Sequence, residues 1–167
     1  MRVKGYALLV GDNIDTDTII PARYLHKSDP EWLGKHVFED TPEIRSRLLS
    51  LPKPIAIIAG KGFGYGSSRE HAVIALKAIG VSLIIARSFH RIFYRNAINN
   101  GLPVIEANLT GLKNGDLVEA DLENGMILVG NNVVFKFKPM PKQLLEILKH
   151  GGLKYFLKKL ASEELGK

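Results

Sequence analysis

The chain has 167 residues, 46% of them hydrophobic and 24% charged, a balance that excludes disordered and fibrous classes. Cysteine is absent, which excludes disulfides, thiolate nucleophiles and an iron–sulfur cluster held by cysteines of this chain. The net charge of +6 and the pI near 9.5 raise nucleic acid as a partner, but the lysines are dispersed, so a solvated surface and an anionic small molecule are the better readings.

A chain of this length buries roughly 70% of its unfolded surface, so no staple is needed, and one domain over residues 1–167 is expected. The apolar run at residues 3–10 is too short for a secretory signal core, and no stretch approaches the ~20 apolar residues of a membrane span. A cytoplasmic protein without membrane attachment is the expectation.

In chain order, residues 3–10, 55–59, 83–86 and 103–105 read as strands, being short apolar runs bounded by turn or polar residues. Residues 69–79 and 89–99 carry apolar side chains at helical spacing and end at Gly80 and Gly101, where C-caps belong. This alternation predicts an α/β core around residues 53–106 with a largely parallel central sheet. Residues 116–121, 126–129 and 133–138 then alternate around two turn signals and predict a small antiparallel meander. Residues 141–161 predict two short helices parted at Gly151-Gly152, with Leu144, Leu145, Leu148, Leu153, Phe156, Leu157 and Leu160 as their apolar set.

Three stretches can carry chemistry. Gly11-Asp-Asn-Ile-Asp-Thr-Asp-Thr-Ile-Ile-Pro-Ala-Arg-Tyr-Leu25 follows the first strand; it lacks the glycine and distal glutamate of a calcium loop, so its acids read as turn formers, one of which could orient an arginine such as Arg69. Gly60-Lys-Gly-Phe-Gly-Tyr-Gly-Ser-Ser-Arg-Glu-His71 sits between a buried strand and a helix, where unpaired first-turn N–H groups favour anions. Arg69 offers a planar fork for a carboxylate. The same run also reads as a capping box, with Ser67 as cap and Glu70 reaching back. The run does not match a nucleotide P-loop, a dinucleotide fingerprint or a hydrolase elbow. In the third stretch, residues 87–101, Ser88 is a candidate cap and Phe89, Ile92, Phe93 and Ile98 form a core face. His71 and His90 are isolated and lack metal-ligand spacing.

Asn13-Ile-Asp-Thr-Asp-Thr-Ile-Ile-Pro-Ala-Arg23, Gly64-Tyr-Gly-Ser-Ser-Arg-Glu-His-Ala72 and Ser88-Phe-His-Arg-Ile-Phe-Tyr-Arg-Asn96 through Pro103 resemble, in order, the small subunits of isopropylmalate isomerase and homoaconitase. That resemblance implies the swivelling β/β/α domain of aconitase type. It implies Ser67 as the catalytic base, Ser68 and Arg69 as substrate-carboxylate binders, and Asp17, less directly, as an acid that positions an arginine. It implies no cofactor on this chain, a 4Fe-4S cluster on a large-subunit partner, and a heterodimer or heterotetramer; self-association is an alternative for the isolated chain.

The family's substrate-discriminating segment falls here on His26 and Lys27. An apolar residue would favour an isopropyl group and an arginine a tricarboxylate, so this pair by itself settles neither; the resemblance implies isopropylmalate, isomerised by a hydro-lyase of leucine biosynthesis, as the expected substrate, with homoaconitate or dual specificity as the alternative among di- or tricarboxylates. A non-catalytic anion-binding module is the alternative of another class. Residues 26–40 are expected to be a mobile loop in the isolated chain.

Overall fold

The structure, a computed structural model, describes residues 1–166, and at residues 133–134 the backbone alone. Lys167, the last residue of the expected domain, lies outside the described residues. The elements run β1 (Arg2–Leu9), α1 (Thr16–Ile19), a helical turn (Ala22–Tyr24), α2 (Pro30–Lys35), α3 (Pro42–Ser50), β2 (Ile55–Ala59), α4 (His71–Ala78) and β3 (Val81–Ala86). They continue with α5 (Arg91–Asn99), β4 (Val104–Glu106), β5 (Leu117–Asp121), β6 (Met126–Val129), β7 (Asn132–Lys136), α6 (Lys142–Lys149) and α7 (Leu153–Leu165).

The strands form one mixed sheet in the order β4-β3-β2-β1-β5-β6-β7. β1 to β4 are parallel neighbours, and β5 to β7 continue the sheet antiparallel from the other side of β1. The expected α/β class and meander are both present. The parallel half is wider than residues 53–106, because β1 lies beside β2 and aligns Tyr6 with Ile55. β2 and most of β3 are buried on both faces, which is why their sequences are continuously apolar rather than alternating.

Because β1 to β4 are laid down in one direction, right-handed crossovers carry every connection over the same face. The contacts agree: α1 and α2 meet α4, α4 meets α5, and α5 meets α6 and α7, giving one helical layer. The same topology brings the loops after β1, β2 and β3 to a common edge, the carboxyl ends of the parallel strands, where ligands of open α/β sheets bind.

Four expectations are corrected. Residues 26–40 are not a loose loop: α2 lies within them, and Leu33, Val37 and Phe38 are fully buried, leaving residues 26–31 as the continuous exposed stretch. Helix α4 starts at His71, so Ser67 is not its cap; Ser67 Oγ accepts from the Arg69 N–H, and Glu70 takes a hydrogen bond from Asn100 instead of reaching back. Ser88 does not cap α5; His90 holds that position, and Ser88 Oγ accepts from the Gly62 N–H. The C-terminal apolar set divides: Leu145 and Leu148 are buried, whereas α7 buries none of its residues and Leu157 is half exposed. No described helix is long and apolar enough to cross a membrane.

Phe63 fixes the foot of the loop after β2. It is fully buried, meets Phe89 and Phe93 edge-on at centroid distances of 5.9 and 5.2 Å, and pairs by its backbone with the loop after β3. Phe63→Ala should destabilise the chain by about 3–5 kcal/mol in a denaturant titration. A loss near zero would mean that this aromatic cluster does not anchor the loop.

Candidate functional site

The three stretches singled out in the sequence are the three loops at the carboxyl edge, and backbone hydrogen bonds join them. The first and second loops are linked by Asn13 N–H to Lys61 O (2.7 Å), Gly64 N–H to Ile14 O (2.7 Å) and Thr16 N–H to Tyr65 O (2.9 Å). The second and third are linked by Phe63 N–H to Ser88 O (3.0 Å) and His90 N–H to Phe63 O (2.9 Å). Gly64 makes this approach feasible: its φ is +85°, and a Cβ there would stand 2.2 Å from Phe93 Cγ.

Beyond Gly64 the chain leaves the core, and Tyr65 to Glu70 are all exposed. Their shape is held from below. Buried Thr16 accepts the Ser67 N–H on its Oγ1 (3.0 Å), and Ser67 Oγ in turn accepts the Arg69 N–H (3.2 Å). From α5, Asn96 Nδ2 donates to Ser68 O (3.0 Å) and Asn100 Nδ2 to Glu70 (2.8 Å). A loop of exposed polar residues is thus fixed by four hydrogen bonds, three of them from side chains outside it or to them.

Ser67, Arg69 and Asp17 line one cleft of about 280 Å³, together with Leu25, Ile20 and His71. A larger cavity of about 590 Å³ lies between α5 and residues 137–144, but it holds none of the predicted site residues. Convergent polar groups, not size, single out the smaller cleft. Arg69 has no ion-pair partner among the described residues, so its guanidinium is free for an anion. Asp17 accepts the Ala22 N–H (2.9 Å) and shapes the turn after α1; it makes no ion pair with Arg69. The arginine fork that the first loop does build joins Arg23 to Asp40, at 2.6 and 2.7 Å.

Ser68 is exposed but lies outside the cleft lining, as do His26 and Lys27. His26 Nδ1 is hydrogen bonded at Arg23 O (3.0 Å), and the Lys27 ammonium sits 4.4 Å from the Trp32 ring centroid. The side chain this segment turns into the cleft is Leu25. Sequence reasoning missed four contributors: Thr16, the braces Asn96 and Asn100, and His71. Their partners are distant in sequence, 51 residues for Thr16 and Ser67, so no local pattern marks them. The donor set does not fit an iron–sulfur cluster. There is no cysteine, and among the described residues no three of His, Cys, Asp or Glu stand together.

The charge of Asp15, which also caps α1 through the Thr18 N–H (2.6 Å), raises the pKa of the nearby Tyr65 phenol above its ordinary value. Asp15→Asn removes that charge, so Tyr65 should ionise at lower pH in alkaline ultraviolet difference spectra referenced to Tyr65→Phe. An unchanged titration would mean that the carboxylate does not act on the phenol.

Comparison with known proteins places this arrangement. Residues 35–108 match the family model of the aconitase C-terminal domain. The 3-isopropylmalate dehydratase small subunit of Caldicellulosiruptor bescii is 52% identical over 161 residues, covering 95% of this chain and 96% of that protein. The one from Saccharolobus islandicus is 50% identical over 163 residues, covering 96% of each. The crystal structure of 3-isopropylmalate dehydratase from Methanocaldococcus jannaschii superposes with a TM-score of 0.86 at 42% identity over 99% of both chains. Aconitase X of Thermococcus kodakaraensis shares the fold alone, with a TM-score of 0.54 at 20% identity over 77% of this chain and 90% of that one. Near-complete coverage at about half identity, on the aconitase-type fold described above, establishes that this chain belongs to the 3-isopropylmalate dehydratase small-subunit family of the aconitase superfamily.

Proposed function

We propose that this chain is the small subunit of a hydro-lyase that interconverts 2- and 3-isopropylmalate by dehydration and rehydration in leucine biosynthesis. The observation that carries the chemistry is the presentation of Ser67 and unpaired Arg69 on one open cleft. Arg69 grips a substrate carboxylate with two parallel N–H bonds, which fixes the carbon beside it. Ser67 takes the proton from that carbon as hydroxide leaves the adjacent carbon, and the C–H electron pair becomes the double bond of the alkene. A serine hydroxyl is a very weak base, so its ionised form needs donors; the Arg69 N–H already points at Ser67 Oγ, and the adjoining N-terminus of α4 adds positive potential. In the opposite addition hydroxide joins the carbon that lost the proton, and Ser67 delivers the proton to the carbon that lost the hydroxide.

Ser68 and Asp17 belong to the same proposal at one remove. Ser68 lies within the carboxylate-binding loop, between Ser67 and Arg69 and held at its carbonyl by Asn96, where it would bind the substrate carboxylate once the partner closes over it, and Asp17 sets the turn that carries Leu25 toward the cleft. The apolar walls of Leu25 and Ile20 favour an isopropyl group over the additional carboxylate of homoaconitate, and Lys27, engaged on Trp32, lies outside the lining. His26 and Lys27 then act by holding the segment through Arg23 and Trp32.

We assign the 4Fe-4S cluster to a large-subunit partner, in keeping with the lack of suitable donors here, and derive no step through it. The exposed loop at Tyr65 to Glu70 gives that partner something to cover: carboxylate grip and proton transfer both gain strength once water is excluded. The chain works as one cytoplasmic domain within that heteromer.

The test is anaerobic assay of the chain with and without its reconstituted cluster-bearing partner, on 2-isopropylmalate and homoaconitate. Activity should require the mixture and favour isopropylmalate. Ser67→Ala should lower kcat by about 10²- to 10⁴-fold, and Arg69→Lys should lower kcat/KM by about 10- to 100-fold. Full activity of Ser67→Ala would remove the serine from its role, and preference for homoaconitate would overturn the substrate.

A further inference from the structure

His71 reads in the sequence as an isolated histidine, yet it opens α4 and lines the cleft beside Ser67 and Arg69. Its Nε2 lies 3.3 Å from Ser28 Oγ, a hydrogen-bonded pair 43 residues apart. Its Nδ1 is buried and has no hydrogen-bond partner. Ser28 is therefore the one polar group among the described residues that orients the ring.

The remaining side-chain hydrogen bonds of this segment are local. Arg23 forks onto Asp40, His26 meets Arg23 O, Trp32 Nε1 donates to Tyr24 O (2.9 Å), and Asp29 accepts the Trp32 N–H. Tyr24 stacks on His36 at 3.8 Å, and Trp32 meets the same ring edge-on at 4.5 Å. All of this holds the segment to itself and to α2. Among the described residues, only Ser28 with His71 joins it by a side-chain hydrogen bond to the start of α4.

We infer that Ser28 and His71 form a latch that holds the segment bearing Leu25 against the carboxylate loop, making both of them positioning residues for substrate selection. The inference rests on the function proposed above. The latch sets how far the apolar wall of Leu25 stands from Arg69. With that distance held, a substrate anchored by its carboxylate on Arg69 meets the wall with a side chain of one length; a wall free to shift accepts others. A single hydrogen bond of ordinary net strength is worth about five-fold in binding, enough to be read in kinetics.

The experiment uses the assembled enzyme with Ser28→Ala, Ser28→Thr, His71→Phe and the double variant Ser28→Ala with His71→Phe. Ser28→Ala should raise KM for 2-isopropylmalate about five-fold with kcat within about two-fold, and should weaken discrimination against a malate bearing a shorter alkyl group. Ser28→Thr, which keeps the hydroxyl, should restore both. The double variant should be no worse than His71→Phe alone, because the two residues act through one contact. Unchanged KM and selectivity in Ser28→Ala, or full additivity in the double variant, overturns the latch.

Amide hydrogen exchange on the isolated chain separates this failure from that of the proposed function. Ser28→Ala should speed exchange at residues 24–29 and 69–71 together by about five-fold, whichever substrate the enzyme takes. Exchange at the parental rate in both stretches would dismiss the latch even in a fully active enzyme. Faster exchange beside an enzyme inert to isopropylmalate would keep the latch and reject the substrate.

Discussion

The structure depends on the backbone hydrogen bonds that tie three loops together at the carboxyl edge of the parallel sheet. Isolated, the loop from Tyr65 to Glu70 is a glycine-flanked, fully exposed segment with little reason to keep one shape. Joined to Ile14 and Thr16 on one side and to Ser88 and His90 on the other through Phe63, it inherits the rigidity of β1, β2 and β3. Positioning a serine and an arginine to within hydrogen-bond tolerance is then a property of the sheet and not of the loop.

Rigidity is combined with openness. The loop's base is buried under the aromatic cluster of Phe63, Phe89 and Phe93, while Ser67 and Arg69 face water. In water, Arg69 holds a carboxylate weakly and Ser67 has little tendency to ionise. In the proposed function the same groups become effective where a second protein surface removes solvent; the chain has no cysteine, and no metal-holding group stands among its described residues. In the function proposed above, this cleft is half of an active site that a partner would complete electrostatically as much as structurally.

Much of this was legible in the sequence. Ile55–Ala59 reads as a buried strand because five apolar residues in a row suit a sheet covered on both faces, and of the Ser67-Ser68-Arg69 run Ser67 and Arg69 line the cleft while Ser68 lies outside it. What escaped was of two kinds. Helices α1 and α2 are four and six residues long, too short for apolar periodicity, and α3 buries Leu48 alone among mostly polar residues, although Asp29-Pro30 and Thr41-Pro42 carry start signals that a search for caps would have met. Thr16, Asn96, Asn100 and His71 act on residues from 28 to 51 positions away, which only the fold brings near. The capping box failed for the same reason: Thr16 and the Arg69 N–H engage Ser67 before α4 begins.

The most direct test of the half-site account is calorimetric titration of 2-isopropylmalate into the isolated chain and into the assembled heteromer under anaerobic conditions. The account gives weak, barely saturable binding to the isolated chain and a strong gain in affinity on assembly, lost in Arg69→Ala. Equal affinity in the isolated chain and in the heteromer would contradict it, since the cleft of Ser67 and Arg69 would then be a complete binding site without a partner.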